Sequence, residues 1–224
     1  MAAVPPSGAG VPPLSVFFNN IKKFPGYYIN ATKVHDIFFA DNNNGLCSAA
    51  TGIYNTTDGG NSLNNITALP DIGTHTSALF MSTSTNACVV YGNKVYHTNG
   101  SLSNWKMDTI VTTNTSLGLR SVFATSASVV YVSSYSGYLY KSTDGGITFT
   151  LLKKFDNVWN SSTWSDMHFI NANTGFISVG SRIYKTTDAG NSWSQIVALG
   201  IPILLEFILS MPHMLGLVVK MVLF

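Results

Sequence analysis

Side chains able to perform acid–base or nucleophilic chemistry are sparse in this 224-residue chain, which has nine aspartates, one glutamate (Glu206), five histidines and two cysteines. Two carboxylates about 5–10 Å apart would suit cleavage of a glycosidic bond, one acting as acid and the other as base or nucleophile. Three aspartates, however, recur in one context: Thr56-Thr-Asp-Gly-Gly60, Ser142-Thr-Asp-Gly-Gly146 and Thr186-Thr-Asp-Ala-Gly190. Asp36 and Asp166 are a second equivalent set, each 18 residues ahead of the tyrosine of an Ile-Tyr pair. A catalytic group has no need to recur from unit to unit, so these five read as building elements. Asp41, Asp71, Asp108 and Asp156 remain without an assignment and are expected in solvated loops. His35, His75, His97, His168 and His213 lack the spacing of metal ligands, and packing or surface roles suit them better. Cys47 and Cys88 fall on second-strand positions of neighbouring units and read as buried free thiols. No nucleophile elbow, phosphate loop or dinucleotide fingerprint occurs, so neither a cofactor nor a metal is expected.

The elements that carry these residues are repeats. Tyr54, Tyr96, Tyr140 and Tyr184 are spaced 42, 44 and 44 residues apart. Nine residues beyond each stands a large apolar side chain: Leu63, Trp105, Phe149 and Trp193. Upstream, Asp36-Ile-Phe-Phe-Ala-Asp-Asn-Asn-Asn-Gly45 parallels Asp166-Met-His-Phe-Ile-Asn-Ala-Asn-Thr-Gly175. Each unit therefore reads as an apolar strand, an Asn/Gly turn, a second strand, the Ile-Tyr strand, an Asp-Gly turn and an aromatic strand. Four antiparallel strands in 40–50 residues is the pattern of a propeller blade. The predicted fold is all-β: a β-propeller with four recognisable repeats, at about 34–76, 77–119, 120–164 and 165–198, and a degenerate or truncated fifth. Residues 1–33 read as a leader and edge segment.

The repeated turn is chemically suited to structure. An Asp at its centre can accept hydrogen bonds from the turn's own N–H groups, and Gly60, Gly146 and Gly190 provide positions for left-handed backbone. Tyr54, Tyr96, Tyr140 and Tyr184, with Trp105, Phe149 and Trp193, offer large apolar faces for packing one blade on the next. The pattern Ser/Thr-x-Asp-x-Gly-x-Thr/Ser-Trp resembles the Asp-box, or BNR repeat, of sialidases, sortilin-type receptors, some endoglucanases and photosystem II assembly factors. Phe169-Ile-Asn-Ala-Asn-Thr-Gly-Phe-Ile-Ser-Val-Gly180, followed by Ile183-Tyr-Lys-Thr-Thr-Asp188, is most similar to the assembly-factor repeats. The resemblance spans roughly residues 34–198. The second unit departs from it, with Asn99 or Gly100 where the Asp belongs.

Composition breaks sharply near residue 199. Upstream the chain is rich in Ser, Thr and Asn; residues 199–224 contain Ser210 alone of these types and carry nearly all of the positive mean hydropathy of +0.22. About 20 apolar residues suffice for a membrane helix, but Pro202, Glu206, Pro212, His213 and Lys220 interrupt this one. The prolines also count against a buried helix. The preferred reading is an out-of-frame remnant of a fifth repeat. Read one base earlier, the codons of Val218–Phe224 permit Gly-Gly-Lys-Asp-Gly-Thr-Ile, and Met214–Leu217 permit Asn-Val-Gly-Phe, like Asn173–Phe176.

Only 12 Lys+Arg against 10 Asp+Glu, with Arg120 and Arg182 the sole arginines, exclude a clustered basic face for nucleic acid. Two arginines also cannot fill the three-arginine cluster that a sialidase-like site uses for its substrate carboxylate. Six Asn-x-Ser/Thr sequons (Asn30, Asn55, Asn65, Asn99, Asn114, Asn160) lean toward an extracytoplasmic or secreted setting, though about four arise by chance at this composition. The expected function is a non-catalytic propeller module that binds a protein or other macromolecule; in the assembly-factor family the implied role is handling photosystem II intermediates. The alternatives are a carbohydrate-active, glycoside hydrolase-like propeller with a glycan ligand, and a membrane-anchored receptor fragment of the sortilin type. An unclosed blade edge would also favour self-association.

Overall fold

The computed structural model describes residues 34–49, 51–66, 69, 78–110, 118–155, 165–180 and 182–198, together with the backbone of 205–208 and 218–221. Four sheets follow one another along the chain, each a four-stranded antiparallel meander. The first holds β1 (Val34–Phe39), β2 (Gly45–Ala49), β3 (Gly52–Thr56) and β4 (Asn64–Asn65). The second holds β5 (Ala78–Met81), β6 (Ala87–Tyr91), β7 (Lys94–Thr98) and β8 (Trp105–Thr109). The third holds β9 (Leu119–Ala124), β10 (Val130–Ser134), β11 (Tyr138–Ser142) and β12 (Thr150–Lys154). The fourth holds β13 (Ser165–Phe169), β14 (Gly175–Val179), β15 (Arg182–Thr186) and β16 (Ser194–Ala198). Every described residue of these sheets is strand, turn or irregular, with no helix among them.

The middle strands are buried on both faces, so they read as unbroken apolar or small-residue runs rather than alternations. The fourth strands are the opposite: β8 and β12 are mostly exposed, as outer edges facing water. Three apolar clusters lie between successive sheets. Leu46 and Ile53 of the first sheet pack with Leu79, Val89 and Tyr96 of the second. Val90 and Val95 pack with Leu119, Val132 and Tyr140 of the third. Tyr131 and Leu139 pack with Met167, Phe169, Ile177 and Tyr184 of the fourth. Each fully buried side chain of this size contributes about 1.5–3 kcal/mol, so the packed faces hold the sheets together, with a few hydrogen bonds between sheets added to them.

Packing across a single strand pair is size-compensated. Phe39 lies opposite Gly45, Met81 opposite Ala87, Ala124 opposite Val130 and Phe169 opposite Gly175. A Cβ on Gly175 would sit 2.5 Å from the Phe169 ring, and one on Gly45 would sit 2.8 Å from that of Phe39. The glycine after the Asn-rich turn is therefore set by a ring lying on its backbone, and where the ring is absent a larger residue fills the space.

The innermost strands are linked by a ladder of rings. Phe38, Phe80, Phe123 and His168 occupy equivalent registers, opposite Leu46, Cys88, Tyr131 and Phe176. Their centroids are 4.4, 4.5 and 5.1 Å apart along the series. Asp36 and Asp166 also bridge sheets: Asp36 Oδ2 accepts the Leu79 N–H at 2.9 Å, and Asp166 Oδ1 accepts the Ser121 hydroxyl at 3.1 Å.

The segment after residue 198 corrects the two helical readings. Residues Leu205–Ile208 (β17) and Val218–Met221 (β18) are strands, paired antiparallel with Glu206 opposite Lys220. β17 lies against β13, beside the fourth sheet. Among the described residues no helix is long and apolar enough to cross a membrane. Residues 1–33, expected as a leader, lie outside the described residues, as do Asp71, Asp156, His75, His213 and the sequons at Asn30, Asn114 and Asn160.

Candidate functional site

The Asp-Gly turns share one hydrogen-bond circuit. In the first sheet Thr56 Oγ1 donates to Asp58 Oδ1 (2.8 Å) and accepts from the Gly60 N–H (2.8 Å). Asp58 in turn accepts from the Ser62 N–H at 2.9 Å and the Ser62 hydroxyl at 2.6 Å. Ser142, Asp144, Gly146 and Thr148 repeat this circuit in the third sheet. Thr186, Asp188, Gly190 and Ser192 repeat it in the fourth. These donors hold the ionised form. The Ser62 hydroxyl and N–H, then Thr56, bring Asp58 down to about 2, and the Ser192 pair with Thr186 does the same for Asp188. Thr148 and Ser142 hold Asp144 well below the usual carboxylate range. Both carboxylate oxygens of each of these aspartates accept hydrogen bonds from their own turn, and among the described residues no group of three potential metal ligands forms.

The turns also seat on the preceding sheet. Tyr131 Oη donates to the Ala189 carbonyl at 2.8 Å and Lys141 Nζ to the same oxygen at 3.1 Å. Gly190 fits beneath: a Cβ there would meet Leu152 at 3.0 Å and the Tyr131 ring at 3.3 Å. One sheet earlier, Gly146 lies over Cys88 and His97, with its would-be Cβ 3.5 Å from His97 Cβ. This seating was invisible in the sequence, because it joins residues 48 and 58 positions apart.

The aromatic residues of the repeat divide between these clusters. Tyr96 is fully buried, Tyr140 and Tyr184 are buried, and Phe149, Trp105 and Trp193 are half-buried against the sheet clusters. Trp193 packs edge-on to Phe155 and Phe169 at centroid distances of 5.9 and 6.1 Å. Tyr54 is half-buried, with its hydroxyl 2.8 Å from Thr51 Oγ1, and joins none of the described clusters.

Of the unassigned carboxylates, Asp41 does cap its Asn-rich turn, accepting the Asn43 and Asn44 N–H groups at 2.8 Å. Partial burial opposes its ionisation, but these bonds outweigh it and its pKa is lowered. Asp108 is a correction. It lies on β8 and not in a loop, and its Oδ2 sits 3.0 Å from Nε2 of the buried His97. This is a diagonal cross-strand pair, since His97 faces Lys106 in the register and Asp108 is two residues on. Period-2 alternation through Trp105–Thr109 was the available signal. Cys47 and Cys88 are free and buried, and burial raises them to about 11 and about 12, with the Asp36 charge adding to the first.

An open groove of about 690 Å³ lies between the second sheet's outer edge and the third sheet's Asp-Gly turn. His97, Asn99, Asn104, Lys106, Ser126 and Ser128 line it, with the outer side of Asp144 and Gly145. Asn99, Asn104 and Lys106 are exposed, and their side chains make no hydrogen bond to the described residues. The groove thus presents amide and ammonium groups beside an Asp-Gly turn.

No family profile matches the chain, and no curated protein does. Solved structures do. The GH74 xyloglucanase from Xanthomonas campestris superposes with a TM-score of 0.61 at 13% identity, over 77% of this chain and 31% of its own. Virginiamycin B lyase from Staphylococcus aureus gives 0.57 at 12% identity, over 77% and 59%. YCF48 from Cyanidioschyzon merolae gives 0.54 at 13% identity, over 74% and 60%. The fold is that of a β-propeller. The four sheets are its blades, with β1, β5, β9 and β13 innermost. The chain spans less than two thirds of each of these propellers, and at such identities the likeness is one of fold.

Proposed function

We propose that this propeller is a non-catalytic binding module for a polypeptide or another extended macromolecule, and that the groove between the second and third blades is its contact surface. The observation that carries this reading is the groove's lining, where Asn99, Asn104 and Lys106 stand exposed beside a turn whose own carboxylate is saturated. The described carboxylates support it from the other side. Asp58, Asp144 and Asp188 serve their turns, Asp36 and Asp166 bridge blades, Asp41 caps a turn and Asp108 holds His97. The turns are read as Asp-boxes, in keeping with the resemblance to the assembly-factor repeats, and the blade boundaries at about 34–76, 77–119, 120–164 and 165–198 belong to the same reading.

Peptide and glycan arrays probed with the full chain, alongside a hydrolysis assay on the same glycans, test it. Peptide binding that falls about tenfold in an Asn104→Ala/Lys106→Ala variant supports the proposal. Glycoside turnover abolished by Asp108→Asn overturns it in favour of a carbohydrate-active propeller.

A further inference from the structure

Each blade carries, at one register of its second and third strands, an equivalent residue pair, which in the first three blades lies toward the next blade's turn. The pairs are Leu46 opposite Asn55, Cys88 opposite His97, Tyr131 opposite Lys141 and Phe176 opposite Lys185. The first three are occupied. Leu46 packs in one cluster with Leu102 of the second blade's turn, Cys88 and His97 hold Gly146, and Tyr131 and Lys141 hold Ala189 and Gly190. Accordingly Leu46, Cys88 and Tyr131 are 1%, 6% and 0% exposed. Phe176 is the exception: it is only half-buried, with Lys185 Nζ 5.9 Å above its ring. Lys141 stands over Tyr131 in the same way, at 5.3 Å. The fourth blade therefore shows the aromatic–lysine receptor that the third blade uses, without a turn seated on it among the described residues.

We propose that Phe176 and Lys185 form a docking site for a further polypeptide strand ending in a Ser/Thr-x-Asp-x-Gly turn. The turn's carbonyl after the Asp accepts from Lys185 Nζ, as the Ala189 carbonyl accepts from Lys141, and its glycine lies flat on the Phe176 ring, as Gly190 does on Tyr131. The backbone beside this site fits such an arrival. β17 already occupies the innermost place next to β13, and β18 pairs with β17 alone among the described residues. A third strand adding to the β18 edge would deliver its turn to the receptor by β-augmentation. This interaction is independent of the groove between the second and third blades, and the two are broken by different substitutions.

The test uses a fluorescent synthetic peptide with the sequence of residues 182–198, a hairpin carrying one complete turn, titrated with the full chain and followed by anisotropy. Saturable binding at or below about 1 mM is expected. It should weaken about tenfold with Lys185→Ala in the chain and vanish when the peptide carries Asp188→Ala. Phe176→Tyr supplies the hydroxyl that Tyr131 uses, so it should tighten binding while leaving the fold intact. Absence of saturation, or binding indifferent to Lys185→Ala and Phe176→Tyr alike, overturns the proposal. So does concentration-dependent self-association of the chain that the peptide cannot compete, since a second copy would then cover this face.

Discussion

The turns of the second and fourth blades occupy the same place and are built differently. In the fourth, Thr186, Asp188, Gly190 and Ser192 satisfy one another within seven consecutive residues. In the second, Gly100 stands where the Asp belongs, and the Thr98 hydroxyl turns away to donate to the Thr85 carbonyl at 2.9 Å and accept from the Ala87 N–H at 2.9 Å. The Gly100 N–H goes to Asn86 Oδ1, 14 residues upstream, at 2.7 Å. One element survives in both: the indole N–H of Trp193 donates to Gly190 O at 2.9 Å, and that of Trp105 to Leu102 O at 2.7 Å. The blade thus needs its backbone groups satisfied and its aromatic anchored; a local carboxylate is one way to do so, and a neighbouring loop is another.

Acid should break the comparison most strongly. The folded-state pKa values of Asp58 and Asp188 lie near 2, below the ordinary value of 3.8, and that of Asp144 is lowered as well. Groups depressed in this way contribute stability that is complete above 3.8 and is lost as pH falls through the folded value. Hydrogen exchange at decreasing pH should show the Ser62 and Ser192 amides losing protection between 3.8 and about 2 and the Thr148 amide following at lower pH, while the Gly100 amide, held by a neutral Asn86, keeps its relative protection.

Gly190→Ala comes next, at about 3 kcal/mol, because the new methyl meets Leu152 and Tyr131 at a residue with φ of +83°. Thermal or urea unfolding measures it. Tyr131→Phe removes the buried hydroxyl on the Ala189 carbonyl and should cost about 1 kcal/mol in the same assay, with Lys141 retaining half of the seat. Gly100→Asp sharpens the contrast. Restoring the missing carboxylate should destabilise by about 1 kcal/mol, since Gly100 has φ of +81° and open space around it, so the backbone no longer has the geometry the Asp requires. The smallest effect is expected from Ala189→Gly. Among the described residues Ala189 is the one non-glycine with positive φ (58°), where the first and third blades have Gly59 and Gly145, and relieving it should add about 0.5 kcal/mol.

Much of the molecule was legible in one dimension. The spacing of the four tyrosines marks the units because a four-stranded meander has a nearly constant chain length, and the Thr-x-Asp-x-Gly string declares its turn because donors and acceptors lie within four residues of one another. Asp108 was not legible. Its partner His97 is 11 residues away, across a hairpin; alternation through Trp105–Thr109 marks the strand, but the register that puts the two on one face is set only by the pairing. The strands at 205–208 and 218–221 were hidden by an apolar composition that fits a helix equally well until pairing partners are known.

The sequence by itself determined the repeated strand order, the Asp-Gly turns and the aromatic that follows each, since these depend on hydrogen bonds and periodicity among near neighbours. Only the tertiary structure decided how one blade grips the next: the ladder from Phe38 through Phe80 and Phe123 to His168, and the seat that Tyr131 and Lys141 make for Ala189. The physical reason is that a turn closes on itself, whereas a blade face is a surface whose partner is set by sheet twist and volume. Any apolar or aromatic residue of suitable size can stand at that register, as Leu46, Cys88, Tyr131 and Phe176 do, so no shared residue type announces it.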